Sequence, residues 1–223
     1  DWSSDVCSSD LISAVVPIQE YDPESNLVLI TKNGIIKKTT LDSFKNIRKN
    51  GIIAISLREE DELIEVRKTN GKREIIVVTC GGMSIRFNEK DVRAMGRNAM
   101  GVMAIRLKED DKVVAMDLVE EGKHLLVISE FGFGKRTSLN EYRTQNRGGV
   151  GLKTYNVKEK TGQLISAKVI DENDEIIMIS MSGIIIRLKT EDISIMGRST
   201  QGVTLMKINN QDDKVMAVRS EER

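Results

Sequence analysis

Lysine and arginine recur beside glycine in this sequence at spacings that repeat along the chain. Four apolar runs end in Thr or Ser and lead to a glycine, and a base follows each glycine by four residues. A flexible glycine lets the backbone approach an anion, and guanidinium suits phosphate, so this pairing predicts phosphate contacts. The glycines are Gly34, Gly82, Gly132 and Gly183, and the bases are Lys38, Arg86, Arg136 and Arg187.

A second glycine follows in every unit, and in three units an Arg precedes it by four residues. In the first unit the base is displaced by one residue, to Arg48. The bases at these two offsets and their basic neighbours are the predicted phosphate contacts. Besides the four bases above, they are Lys37, Arg48, Lys49, Arg97, Lys135, Arg147, Lys153 and Arg198.

These spacings indicate a repeat architecture. The first glycines lie 48, 50 and 51 residues apart, and the second glycines, Gly51, Gly101, Gly151 and Gly202, lie 50, 50 and 51 apart. Runs rich in Ile and Val, broken by Gly, Asn and Asp, are typical of strands. Four strands in about 50 residues predict a propeller-like blade covered on both faces by its neighbours.

The predicted fold is therefore all-β and propeller-like, with about four repeats of roughly 50 residues. The predicted blades are residues 27–73, 74–123, 124–174 and 175–223, and residues 11–26 are predicted to be the trailing strand and loop of a preceding blade. Residues 1–10 differ in composition and resemble the translation of a sequencing-library adapter. They are interpreted as a non-native tail, and the alternative is a disordered N-terminal segment.

The formal net charge is zero, with 34 bases and 34 acids, but the two signs alternate along the chain. Residues 34–57 contain five bases and one acid, whereas residues 58–65 contain one base and five acids. Because a radial repeat places equivalent residues at equivalent positions, the recurring bases predict an exposed basic belt on the rim. The alternative is that they protect strand edges from unwanted pairing.

Metal and membrane functions find little support in the sequence. Cys7 and Cys80 form no CxxC motif, and His124 is the only histidine, so no metal site is expected. No run approaches the roughly 18 apolar residues of a membrane span, and no secretory leader is recognised. A cytoplasmic protein without a membrane partner is expected.

Several long motifs carry a resemblance to a known family. In order from Leu11 to about Arg219, the chain contains TKNGIIKKT, RAMGRNAMGV, EFGFGKRTSLNEY, QNRGGVG and ISIMGRSTQGV. These motifs resemble the C-terminal domain of the DNA gyrase A protein. The resemblance implies a six-bladed β-pinwheel in which adjacent blades exchange strands and double-stranded DNA bends around a basic rim. It also implies that the first blades and the breakage-reunion core lie upstream of this fragment.

The resemblance further implies a role in a larger enzyme. The partners would be double-stranded DNA, the gyrase B protein and the rest of the gyrase A protein, and ATP and magnesium would belong to that holoenzyme. A type II topoisomerase cleaves DNA with a tyrosine next to an arginine. Tyr21 and Tyr155 have no adjacent arginine, and Tyr142 occupies a packing position of the repeat. No catalytic residue and no cofactor are therefore expected in this chain.

The segment QNRGGVG resembles a family box of the form Gln, base, Arg, Gly, Gly, base, Gly. Asn146 and Val150 stand where that box has bases, so the segment is interpreted as a degenerate form of it. An ordinary glycine-rich blade loop is the alternative. The residues that keep the pattern, and that the resemblance implies in DNA binding, are Gln145, Arg147, Gly148, Gly149 and Gly151.

Two alternative functions remain open at this point. The first is the equivalent domain of the topoisomerase IV A protein, which lacks a true box; the complete repeats and the box-like segment favour gyrase. The second is a propeller that binds other proteins. The Trp-Asp signature of WD40 blades and the aromatic signature of kelch blades are absent.

Overall fold

A computed structural model describes residues 14–18, 20–120, 123–208 and 213–221. Over these residues the chain forms antiparallel β-sheets joined by loops and short 3-10 helices, so the all-β prediction is confirmed. The predicted tail at residues 1–10 lies outside the described residues. Residues 14–18 and 20–25 form no strand, so the part of the predicted trailing strand that the structure describes is irregular.

Each unit contributes two long strands joined by a tight turn, and a third long strand near its end. In the first unit these are β1 (Asn26–Thr31), β2 (Ile35–Thr40) and β3 (Leu63–Thr69). The order β3-β1-β2 places β1 in the middle of the sheet, and the next two units follow the same plan. Their strands are β4 (Glu74–Thr79), β5 (Met83–Asn88), β6 (Val102–Met103), β7 (Val113–Val119), β8 (His124–Ser129), β9 (Phe133–Ser138), β10 (Leu152–Lys153) and β11 (Leu164–Ile170).

The last unit contains β12 (Glu175–Ser180), β13 (Ile185–Lys189), β14 (Val203–Thr204) and β15 (Val215–Glu221). Its sheet has the order β13-β12-β15, with three strands among the described residues. Short 3-10 helices, Leu41–Phe44, Glu89–Asp91, Leu139–Glu141 and Thr190–Asp192, follow the second strand of each unit.

Adjacent units exchange a short strand, which is the defining feature of the predicted pinwheel. β6 belongs to the second unit by sequence but pairs with β2 of the first, so that Ile36 faces Val102. β10 pairs in the same way with β5, and β14 with β9. In the second, third and fourth units this short strand, two residues long, therefore completes the outer edge of the preceding sheet.

The hydrophobic core lies between sheets. One buried cluster joins Val28 and Ile36 of the first sheet to Ile75 and Ile85 of the second. Equivalent clusters join the second sheet to the third and the third to the fourth. Since the inner sheets are covered on both faces by their neighbours, their central strands contain unbroken apolar runs.

The bases that follow the first glycine do not lie on an exposed rim. The predicted exposure is wrong for Lys37, Lys38, Lys135 and Arg136, which are all less than 9% exposed, and Arg86 is half-buried. The reason is strand exchange, because the next unit covers the outer edge of the strand that carries them. They are also not the edge-protecting charges of the alternative interpretation, which would require solvent exposure.

Lys38, Arg86 and Arg136 instead hold the 3-10 helix of the following unit. Arg86 donates from Nη1 to the carbonyl oxygens of Leu139 (2.9 Å) and Tyr142 (3.2 Å), and it also pairs with Glu74. Arg136 donates to the carbonyls of Ile193 (2.8 Å) and Glu191 (3.2 Å). Lys38 donates to the carbonyl of Glu89 (3.0 Å). The carbonyls of Leu139 and Glu89 also accept the helical bonds from Tyr142 and Val92, so the cations add a second donor that links each 3-10 helix to the preceding unit.

Arg187 occupies the same repeat position in the last unit but is exposed. It pairs with Glu175 of the neighbouring strand β12. Within the described part of the chain, no further unit covers the outer edge of β13. The exposure of this arginine therefore depends on the neighbouring unit and not on its position in the repeat.

Replacing Arg86 with Ala is expected to lower the free energy of unfolding by about 2–3 kcal/mol, because two carbonyl groups and a carboxylate lose a charged donor. Chemical denaturation monitored by circular dichroism measures the difference. Arg143→Ala, at an exposed loop arginine, is the control and should change it by less than about 0.5 kcal/mol. Equal free energies of unfolding for the two variants would contradict a stabilising role for the hydrogen bonds from Arg86 to the following unit.

The glycine before each exchanged strand gives a second prediction. Gly202 has φ +77°, and a Cβ there would lie 2.5 Å from the Gly134 carbonyl oxygen. Gly51 has φ +76°, but a Cβ there would meet nothing within 4 Å. We expect Gly51→Ala to cost about 1 kcal/mol for the left-handed backbone alone. Gly202→Ala should cost about 2–4 kcal/mol, since the exchanged strand must also move. Similar denaturation midpoints for Gly51→Ala and Gly202→Ala would contradict close contact between Gly202 and the strand that carries Gly134.

Candidate nucleic-acid interface

Three loops project from the outer edges of the sheets, and we call residues 96–101, 146–151 and 197–202 the rim loops. Before the first of them, the amide of Met95 donates to the carbonyl of Lys38 (2.8 Å). After it, Val102 enters β6 and pairs with Ile36. The chain thus leaves the sheet edge and rejoins it two residues away on the partner strand. The other two rim loops repeat this path against β5 and β9.

Successive units contact each other along this edge. Arg147 donates to the carbonyl oxygens of Asp91 (3.1 Å) and Met103, both in the preceding unit. Arg198 donates to the carbonyl of Lys153 (3.3 Å), and the Ser56 hydroxyl donates to the carbonyl of Asn98 (2.8 Å). These contacts join the loops of the four units into one continuous strip.

The strip contains part of the predicted set. Arg48, Lys49 and Lys153 are exposed, whereas Arg97, Arg147, Arg198 and Gln145 are half-buried with their loops at the surface. Gly148 uses its amide to donate to the Ala104 carbonyl (2.8 Å), and a Cβ at Gly151 would overlap the Ser84 carbonyl. These two glycines contribute to the packing of the loop. Phosphate contact by Gln145, Arg147, Gly148, Gly149 and Gly151 stays a prediction.

The sequence interpretation missed a third series of bases. Lys45, Arg93 and Arg143 each lie eleven residues after the turn glycine and directly after a buried residue that packs in the core. All three are exposed. The equal offset is visible in the sequence, but these bases are not next to a glycine, so the glycine pattern does not include them. Arg106 and Lys207, also exposed, add two further bases to the loops after the exchanged strands.

A surface hollow brings together three bases from two units. Lys45 and Arg48 of the first unit and Arg97 of the second line it, with Asn46, Asn98 and a short apolar stretch at residues 51–53. Its lining contains no acidic residue, although Lys45 also pairs with Asp42. Positive charge together with amide donors suits a phosphate group.

Acids that alternate with the bases have structural partners at the first-glycine turns. Asp61 accepts from the amide of Asn33 (2.9 Å), and Asp111 accepts from the amide of Gly81 (2.8 Å). In the last unit the Ser182 hydroxyl donates to Asp213 and lowers the pKa of that carboxyl. The acidic turns thus fasten the first-glycine turns.

Two buried lysines lie beneath the rim loops. Lys135 donates from Nζ to the carbonyl oxygens of Gly197 (2.6 Å) and Arg198 (2.7 Å) and to the Thr200 hydroxyl (3.0 Å). Lys37 donates to the carbonyls of Ala54 (2.6 Å) and Arg97. Burial lowers the pKa of both lysines to about 8. They support the loops from inside and do not reach solvent.

The tyrosines of the repeats are placed as packing groups. Tyr142 is 2% exposed and shares a 2.5 Å hydrogen bond with the Thr154 hydroxyl, which confirms its packing role. Tyr155 is fully buried in the same cluster.

Over the described ranges, no helix is long and apolar enough to cross a membrane.

Comparison with known proteins gives a consistent result. The family model described as "DNA gyrase C-terminal domain, beta-propeller" matches residues 25–70, 73–120, 123–171 and 174–220. The DNA gyrase A protein of Halalkalibacterium halodurans is 59% identical over 210 residues, and that of Clostridium acetobutylicum is 52% identical over 210 residues. These matches cover 94% of this chain and 25% of each relative, so the chain spans about a quarter of their length.

Two solved structures share the fold. The C-terminal domain of DNA topoisomerase IV superposes with a TM-score of 0.87 at 26% identity, over 93% of this chain and 65% of that one. A DNA gyrase A C-terminal domain superposes with a TM-score of 0.82 at 27% identity, over 91% of this chain and 68% of that one. The strand exchange described above is thus set in a known β-pinwheel fold.

Proposed function

We propose that this chain, which belongs to the DNA gyrase C-terminal domain family, binds duplex DNA without sequence preference along the strip of rim loops. The observation that carries the proposal is the continuity of that strip, which places exposed bases from all four units along one edge. Loops of this kind offer guanidinium and ammonium groups to phosphates. The described residues contain no helix suited to reading base edges in a groove, which favours backbone recognition.

Within the full-length protein, we propose that this binding bends DNA around the rim and supports ATP-dependent negative supercoiling by gyrase. The rest of the gyrase A protein, the gyrase B protein, ATP and magnesium would supply cleavage and energy, and this chain would be non-catalytic. The family and the relatives support the gyrase assignment over topoisomerase IV. The two solved structures do not separate the enzymes, since both superpose well at similar identity.

Salt dependence tests the proposal. Affinity for a short duplex, measured by fluorescence anisotropy, should fall steeply with salt, with log K against log[salt] having a slope of about −0.9 per neutralised phosphate. Replacing Lys45, Arg48 and Arg97 together with Gln should flatten the slope by up to about 2.7, the equivalent of three phosphates.

A charge-matched control replaces Lys68, Lys72 and Lys112 with Gln. All three are exposed and lie outside the rim loops: Lys68 is on β3, Lys72 connects β3 to β4, and Lys112 directly precedes β7. This control should leave the slope within about 0.9 of the wild-type value. Wild-type DNA binding that is insensitive to salt would favour the protein-binding alternative. If the salt slope falls equally in the two triple variants, the rim loops are not the DNA interface.

Wrapping can be separated from binding by a topological assay. Bending a duplex by 40–90° over 20–30 base pairs costs on the order of 1–6 kcal/mol, which must be offset by contacts along the whole arc. This chain matches 68% of the gyrase domain structure and keeps only a degenerate box. We expect it to bind linear duplex but to trap few supercoils when a nicked circle is ligated in its presence. Strong trapping by this chain alone would show that QNRGGVG replaces the full box.

A further inference from the structure

The three rim loops are supported in two different ways. Lys37 lies on β2 between Ile36, which pairs with Val102, and Lys38, which bridges to Ala94. It therefore occupies the base of the loop at residues 96–101. Lys135 has the same position on β9, between Gly134 and Arg136, at the base of the loop at residues 197–202. Both lysines are 0% exposed.

The loop at residues 146–151 has no lysine beneath it. Ile85 occupies that position of the repeat and lies close to Gly149. This loop is held by Arg147 and by the amide of Gly148, which donate to carbonyls of the preceding unit. Ile therefore fits this position in the fold, so a buried cation is not required to close the sheet edge.

The buried ammonium groups determine how the loop peptides face. In a planar trans peptide the carbonyl and the following N–H point in opposite directions. The carbonyl of Gly197 points inward to Lys135, and the next amide, that of Arg198, correspondingly donates outward to Glu141 (3.2 Å). The inward carbonyls of Arg97 and Arg198 turn the amides of Asn98 and Ser199 away from the lysines in the same way.

Resting on the proposed function, we infer that Lys37 and Lys135 are positioning residues for DNA binding. Each holds its rim loop so that an arginine and the main-chain N–H that follows it face the phosphate backbone together. These lysines do not touch DNA. The two loops that share the sequence Met-Gly-Arg thus form lysine-supported phosphate sites, distinct from the glycine-rich loop between them.

The inference makes the binding sensitive to pH. With a pKa of about 8, both lysines are mostly charged at neutral pH and mostly neutral above that pKa, whereas ordinary lysines stay charged to about pH 10. Arg198 and Glu141 face Lys135, and Arg97 faces Lys37, with the arginines lowering and the glutamate raising the lysine pKa. A neutral amine donates at most two hydrogen bonds and has no charge, so its hold on the loop carbonyls weakens as pH rises.

The test compares wild type with the double variant Lys37→Ile/Lys135→Ile, which copies the natural residue at Ile85. At neutral pH the variant should bind a short duplex more weakly, on the order of tenfold, with a salt slope flatter by up to about 1.8 for two phosphates. Wild type should lose affinity between about pH 7 and about pH 9.5, and the variant should not, because the titrating groups are gone. Lys68→Ile/Lys72→Ile, which removes two exposed lysines away from the rim loops, is the control and should keep the wild-type pH profile.

Hydrogen exchange provides a second measurement that does not use DNA. Amides at residues 96–101 and 197–202 should exchange faster in the double variant than in wild type, while those at 146–151 should be unchanged. A variant with wild-type affinity and pH profile would overturn the inference. If the variant does not fold, the pH dependence of DNA affinity in wild type alone decides. An affinity that does not change with pH, while the circular dichroism spectrum stays constant, overturns the inference. Absence of DNA binding by wild type would instead reject the proposed function, and the exchange result would still report on the loops.

Discussion

The outer edge of each sheet is the constraint on which the rest of this structure depends. A strand edge presents unpaired N–H and C=O groups, and burying them without partners is costly. Here the following unit supplies a short strand and a bridging segment to the same edge, as with β6 and residues 94–95 against β2. Each unit thereby completes the one before it, and the hydrophobic core forms between sheets rather than within one.

This exchange explains why basic residues have two different roles. Between its two contacts with the edge, the chain turns away, and carbonyl groups of the turn and of the 3-10 helix face the interior. Cations on the second strand satisfy them, as Arg136 does for Ile193 and Lys135 does for Arg198. The bases of the rim loops lie outside this edge. The chain thus uses buried bases to hold the loops and exposed bases to give them charge.

The separation of charge follows from the same geometry. Carboxylates such as Asp61 and Asp111 fasten the turns at the first glycines, which leaves the rim loops dominated by bases although the net charge is zero. Net charge alone therefore says little about the partner of this protein. The location of the charges favours a polyanion at one edge, and membership of the gyrase family supports duplex DNA as that polyanion.

The sequence by itself determined the period, the all-β class, the strand-and-glycine pattern of each unit and the packing role of Tyr142. These features are local or repeat regularly, so they can be read from residue types and spacing. Equal spacing shows that Lys38, Arg136 and Arg187 are equivalent, but it does not show whether they lie inside or outside. Only the tertiary structure decided that, because burial depends on whether the next unit covers the strand edge: Arg136 is covered and Arg187 is exposed. For the same reason Lys45, Arg93 and Arg143 could be assigned to the surface only after the fold had placed their neighbours in the core.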